Sequence, residues 1–207
     1  MPPLAQDEIH LWRLGVGALE VRPQPQGSTA LLRELLSGYA GTDAFVIERD
    51  AHGKPRAPAL GGLEFNLSHC RNVLVIAVTR EQSLGVDIET PQRRVRSAAL
   101  AQRFFTRAEA TALAALDEAV RAAAFVRLWT HKEAVLKAIG SGLSFGLARL
   151  EFRLDAAGEV CLLESIAAEA GLAKDWRLHR FEPCPGFVGC LAWRGPPRRV
   201  RHLPAVD

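Results

Sequence analysis

The run FVRLWTHKEAVLKAIGSGL, Phe125 to Leu143, decides most of what the chain discloses about its fold. On a helical wheel started at Trp129, Phe125, Leu128, Val135, Leu136 and Ile139 fall in one apolar arc, with Lys132 near its middle. Glu133 and Lys137, four positions apart, lie at the arc's edge. His131 falls on the opposite, polar side, which predicts an exposed histidine. A lysine on a core face must be paired or face a polar cavity, because an unpaired buried ammonium is costly. The plainer alternative is a side chain that snorkels to the surface. The whole helix is expected to span about Glu118 to Ile139.

Working outward, Thr106 and Glu109 read as a capping box that opens a shorter helix ending near Leu116, after another beginning near Arg96. Gly85-Val86-Asp87-Ile88-Glu89 reads as a strand end. Strand alternation sends Val86 and Ile88 to the core and puts Asp87 and Glu89 together on the other face. Two carboxylates on one face suit a hard cation such as Mg²⁺; the plain reading is a solvated strand end.

Further strands are expected at 9–16 and 18–22, 45–49, 63–67, 73–79 and 84–88, then at 150–154, 160–165, 176–181 and 187–193. Ser28 is the expected N-cap of a helix bearing Leu31, Leu32, Leu35, Leu36 and Tyr39, with Gly41 ending it. An Arg/Pro-rich tail follows the last strand. Asp50-Ala51-His52-Gly53 and Asp155-Ala156-Ala157-Gly158 lie 105 positions apart in similar surroundings, which points to an internal duplication. The expectation is an α+β fold of two pseudo-symmetric halves, 1–95 and 96–207, with a cleft between them as the site.

Composition narrows the class. At 207 residues, 48% hydrophobic and 24% charged, with mean hydropathy +0.03, the chain buries a real core, which excludes disordered and collagen-like identities. A net charge of +3 is too small for a nucleic-acid scaffold. No signal peptide, no membrane-length apolar run and no CxxC pair is present, so a cytoplasmic protein with reduced thiols is expected. His179, Cys184, Cys190 and His202 match no common zinc spacing.

Taken in order, several motifs resemble the Sfp-type 4′-phosphopantetheinyl transferases. They are Gly53-Lys54-Pro55, Phe65-Asn66-Leu67-Ser68-His69, Gly85 to Glu89, Phe104-Phe105-Thr106 with Glu109, and Trp129 to Leu143. The resemblance covers about residues 28–165. It implies transfer of the phosphopantetheine arm of coenzyme A to a serine of an acyl or peptidyl carrier protein, releasing adenosine 3′,5′-bisphosphate, with Mg²⁺. By the same resemblance Asp87, Glu89 and Glu133 are metal ligands, and Lys132 and Lys137 pyrophosphate partners. Gly53, Lys54 and Pro55 form the adenine-side loop, and Ser68 and His69 contact the 3′-phosphate. Glu133 is the preferred base for the serine proton, with Glu109 the other choice.

Two departures stand out: Cys70 replaces a small hydroxyl residue, and Pro23 to Gly27 replaces a basic stretch, for which Arg22 and Arg33 are candidate substitutes. Arg93, Arg94, Arg96 and Arg103 are candidates for docking acidic carrier proteins, and a monomer is expected. Two rivals remain open: a non-catalytic binder of coenzyme A or carrier proteins, which would be free to lose the acids and helix lysines, and an arginine-rich nucleic-acid module, which would need exposed aromatics.

Overall fold

Each run of alternating or apolar residues finds a hydrogen-bonded partner of its own kind, and the order of those partners repeats along the chain. The computed structural model describes residues 1–14, 25–91 and 97–203, without the side chains of 25–27. In chain order the elements are β1 (Glu8–Leu14), α1 (Pro25–Ala40), β2 (Glu48–Arg49), β3 (Pro55–Arg56), β4 (Leu63–Cys70), β5 (Val73–Arg80) and β6 (Leu84–Glu89). Then come α2 (Ser97–Phe104), α3 (Arg107–Ala115), α4 (Glu118–Ile139), β7 (Leu150–Leu154), β8 (Val160–Ile166), β9 (Trp176–Phe181), β10 (Val188–Arg194) and β11 (Arg199–Leu203).

One sheet has the order β11-β1-β5-β4 and another β6-β10-β9, with β2–β3 and β7–β8 as separate hairpins. In both sheets a strand is followed by a helix and a hairpin and then by two antiparallel strands, of which the second lies between the other two. The hairpin turns are built alike. Gly53 N donates to Asp50 O and Gly158 N to Asp155 O, while Asp50 Oδ1 and Asp155 Oδ1 each accept two backbone N–H groups. Gly53 and Gly158 sit at φ 84° and 74°, the left-handed region that favours glycine. β6, which a division at residue 95 assigns to the first half, hydrogen-bonds β10 and belongs to the C-terminal sheet.

The two sheets meet through side chains of β4 and β6. Val86 N donates to Asn66 Oδ1 at 2.9 Å, and Ile88 N to Ser68 Oγ at 3.3 Å. Helix α4 is buried on all sides, from Phe125 and Leu128 to Val135 and Ala138. His131, expected to be exposed, is therefore buried; its Nδ1 lies 2.7 Å from Arg127 O, and burial pushes its pKa down to about 4.

Other boundaries differ locally. Helix α1 starts at Pro25, so Ser28 lies in its first turn and is not an N-cap. Of the strand expected at 45–49 only Glu48–Arg49 pairs, because Phe45 is drawn into the core beside α1. The tail supplies β11, parallel to β1. The strand expected at 18–22 lies outside the described residues. Among the described residues no helix is long and apolar enough to cross a membrane.

Candidate active site

A cavity of about 710 Å³ opens where the β2–β3 hairpin, the start of α1, β4 and the C-terminal half of α4 meet. Glu133 and Lys137 line it from α4, His69 from β4, and Arg49 and His52 from the hairpin. Gly53, Lys54 and Pro55 lie on the same wall.

Beside Glu133 and Lys137 runs β6. A Cβ on Gly85 would stand 2.1 Å from Ala134 O and 2.3 Å from Ala138 N, so α4 lies backbone-close on the strand. Val86 and Ile88 are buried in the core, while Asp87 and Glu89 take the other face. Lys137 Nζ donates to Asp87 Oδ1 at 2.8 Å and to Val86 O at 3.1 Å. Ser68 Oγ donates to the same Asp87 oxygen at 2.9 Å, and Asp87 Oδ2 is buried with no hydrogen-bond partner. Burial, reinforced by Asp87 and Glu89, pushes the Glu133 carboxyl up to about 7 against the pull of Lys137. Cys70 Sγ donates to Glu89 Oε2 at 3.6 Å, and burial with the Glu89 charge raises the thiol to about 11. Among the described residues no three His, Cys, Asp or Glu side chains form a ready metal cage.

Three expected site residues are placed elsewhere or otherwise engaged. Lys132 is fully buried and donates to Leu147 O, Leu150 O and Glu109 Oε1, the last at 2.8 Å. With three donors on the ammonium and three acceptors met, nothing is left for a phosphate. Glu109 is equally buried: Oε1 also accepts from Phe152 N, and Oε2 from Thr106 N in the capping box. Neither residue lines the cavity. The sequence anticipated that Lys132 must be paired, but its partner is supplied by the crossing of α3 over α4. Ser68 is committed to Asp87 and Ile88 N and is likewise absent from the lining.

Lys54 lines the cavity but its Nζ turns inward, donating to Ser83 Oγ, Leu84 O and Ala138 O, and burial lowers its pKa to about 8. Arg33 donates to Asp43 O at 2.7 Å and stacks on Phe45, so it does not face the cavity. Arg103 is exposed over the Phe104 ring; Arg22, Arg93, Arg94 and Arg96 lie outside the described residues. Arg49 and His52, by contrast, were not among the expected site residues, His52 being noted only as part of the repeated turn, and enter the cavity because the Asp50–Gly53 turn docks near the end of α4. A Cβ on Gly140 would stand 3.5 Å from Arg56 and Lys54.

The cavity is thus lined from both of the similarly ordered units, by α1, the β2–β3 hairpin and β4 of the first and by Glu133, Lys137 and Gly140 at the end of α4 of the second. The family model of the 4′-phosphopantetheinyl transferase superfamily matches residues 83–185. The chain is 30% identical to the 4′-phosphopantetheinyl transferase HetI of a Nostoc species, over 93% of this chain and 90% of that protein. It is 35% identical to the 4′-phosphopantetheinyl transferase Sfp of Bacillus subtilis, over 54% of this chain and 48% of that one. With AcpT of Salmonella typhimurium, also named a 4′-phosphopantetheinyl transferase, identity is 32% over 56% of this chain and 60% of that one. The chain belongs to the 4′-phosphopantetheinyl transferase superfamily and is a transferase.

Proposed function

We propose that this chain moves the 4′-phosphopantetheine arm of coenzyme A to a serine of an acyl or peptidyl carrier protein, with Mg²⁺, releasing adenosine 3′,5′-bisphosphate. The observation that carries this reading is the pair Glu133 and Lys137 on the wall of a cavity of about 710 Å³, with Asp87 behind them, bonded to Lys137 at 2.8 Å and charge-coupled to Glu133.

The acids suit a divalent cation. Asp87 Oδ2 is buried and unpartnered, burial and then the neighbouring carboxylates raise the Glu133 pKa, and an ammonium already sits on Asp87 Oδ1. Asp87, Glu89 and Glu133 would hold the ion, an all-oxygen set of the kind Mg²⁺ takes. When bound, it would supply neutralisation of charge on the pyrophosphate oxygens.

The remaining steps fall to the chain's own groups. Lys137 balances charge where the pyrophosphate lies, and the Gly53–Pro55 loop frames the base with His69 toward phosphate. Glu133 accepts the proton of the carrier serine as its oxygen bonds to the pantetheine-bearing phosphorus, and the bond from that phosphorus to the bridging oxygen breaks. Glu109 is set aside as a base because Lys132 and two backbone N–H groups consume its carboxylate. The matching units β1–β5 and β6–β10 support an internal duplication divided near residues 81–83 rather than at 95. Four free cysteines accord with a cytoplasmic location, exposed Arg103 accords with an acidic carrier, and the reading takes the protein as a monomer.

The test is mass spectrometry of a panel of apo carrier proteins incubated with this protein, coenzyme A and Mg²⁺. A gain of one phosphopantetheine mass on a carrier is expected; no gain across fatty-acid, polyketide and peptide carriers overturns the reading.

A further inference from the structure

Away from the cavity, two histidines 23 positions apart in sequence meet where the two sheets come together. His179 lies on β9 and His202 on β11, each the outermost strand on one side of its sheet. In register, His179 stands beside Leu191 of β10 and His202 beside Leu11 of β1. Both leucines are buried in the core shared by the two sheets, so each imidazole is the next side chain outward from a common apolar contact. There His179 Nε2 and His202 Nε2 stand 3.0 Å apart. Phe181 stacks along His179, with ring planes 17° apart, and meets His202 edge-on, so one apolar ring backs both imidazoles.

A divalent transition ion such as Zn²⁺ holds an imidazole nitrogen at about 2.0–2.1 Å. Two such nitrogens stand about 2.9 Å apart at a right angle and about 3.3 Å apart at the tetrahedral angle. The observed 3.0 Å lies inside that interval. The same distance serves an N–H···N hydrogen bond between neutral rings, so an ion can take the place of the shared proton without moving either strand. Access favours it: His202 is exposed and lines, with Glu182, a second cavity of about 250 Å³. The neighbouring guanidinium groups are engaged elsewhere, Arg180 with Glu159 and Val160 O, and Arg201 with Glu8. Burial, helped by His202, lowers the His179 pKa and so favours the neutral, ligating ring.

We infer that His179 and His202 form a two-histidine site for a divalent transition ion of the Ni²⁺ or Zn²⁺ kind, which clasps β11 to the C-terminal sheet. Nitrogen donors separate it from the all-oxygen set proposed for Mg²⁺. Of the four residues whose sequence spacing matched no common zinc site, the fold joins these two; Cys190 is fully buried in the core beside α4. Among the described residues no third His, Cys, Asp or Glu completes a cage, so water fills the shell and the ion exchanges freely.

Titration calorimetry with Ni²⁺ and with Zn²⁺ tests the site on the untagged wild type, His179→Gln and His202→Gln, in millimolar Mg²⁺ to occupy oxygen donors. Wild type binds one ion per chain, and each variant loses that binding. In thermal melts Ni²⁺ raises the wild-type midpoint and leaves both variants unmoved, because an ion held by the folded pair stabilises by mass action. Denaturant midpoints without metal establish that the variants are folded. Should His179→Gln unfold, the exposed His202→Gln carries the comparison alone. A wild type that binds neither ion overturns the site, and so does binding that survives in a folded variant, which places the ion on carboxylates or thiols instead.

Discussion

The ammonium of Lys132 stands 2.8 Å from Glu109 Oε1, with neither side chain exposed to solvent. Burial lowers the Lys132 pKa, and Glu109 holds it up. Removing one member leaves an uncompensated charge in the core. Lys132→Met is expected to cost about 3–5 kcal/mol in urea denaturation. Adding Glu109→Gln removes the second charge, keeps an acceptor for Phe152 N, and recovers about half of the loss. A double variant as unstable as the single one would show that packing, not charge, sets the cost.

Glu133→Gln and Asp87→Asn should lower transfer about 10³-fold, within the range of a lost base or a lost charge-stabilising group. Thermal melts without metal should stay level or rise, because the two carboxylates repel each other in the folded protein. Glu109→Gln should reverse that pattern, lowering the melting temperature before it alters the chemistry. Melts and carrier-loading rates measured on the same preparations separate the two classes.

Gly85→Ala places a methyl against the backbone of Ala134 and Ala138, neither of which is a flexible side-chain end. An overpacked helix–strand contact costs about 1–3 kcal/mol. The displacement of α4 from β6 should also lengthen the Lys137–Asp87 contact, so activity falls by more than the stability loss alone produces. Comparing the fraction folded with the rate per folded molecule checks this.

Lys54 carries a pH signature. Burial lowers its ammonium from 10.5 to about 8, so folding disfavours the protonated form. A base with a lowered folded pKa contributes stability that is full above the unfolded value and lost as pH falls through the folded one. Against Lys54→Met, wild type should therefore gain relative stability as pH rises from about 8 toward 10, followed by denaturant midpoints.

Much of this was legible from local chemistry. The bounds of α4, β7 and β9 follow from apolar periodicity, and the α3 start from a capping box that the structure forms in full. What escaped needed knowledge of the other side of an element. His131 looks polar on a wheel, but α4 has protein on every side, so the wheel's outer face is not solvent. Lys132 demanded a partner, yet nothing local marks Glu109 as that partner. β11 alternates arginines with Val200 and His202 after a Pro-rich turn, a pattern without the apolar face of a strand, because it lies at a sheet edge. Of the proposed site, Asp87 and Glu89 were legible as a pair on one strand face and Glu133 and Lys137 as neighbours on one helix, but only the resemblance joined the two pairs, and Arg49 had no place in it.

The pairing of β1 with β11 sets an order of events in time. Glu8 faces Arg199 across that ladder, and about 190 residues separate them. While the chain is being synthesised, β1 can already find β5, but its other edge stays unpaired until nearly all the rest has emerged. Closing so large a loop is entropically slow, and an open edge is an invitation to wrong partners. The buried Glu8 carboxylate, which Arg199 and Arg201 later reach, waits through that interval without its two arginines. The first sheet to begin is thus among the last to be finished, and nascent chains should be most prone to aggregation just before residue 199 appears.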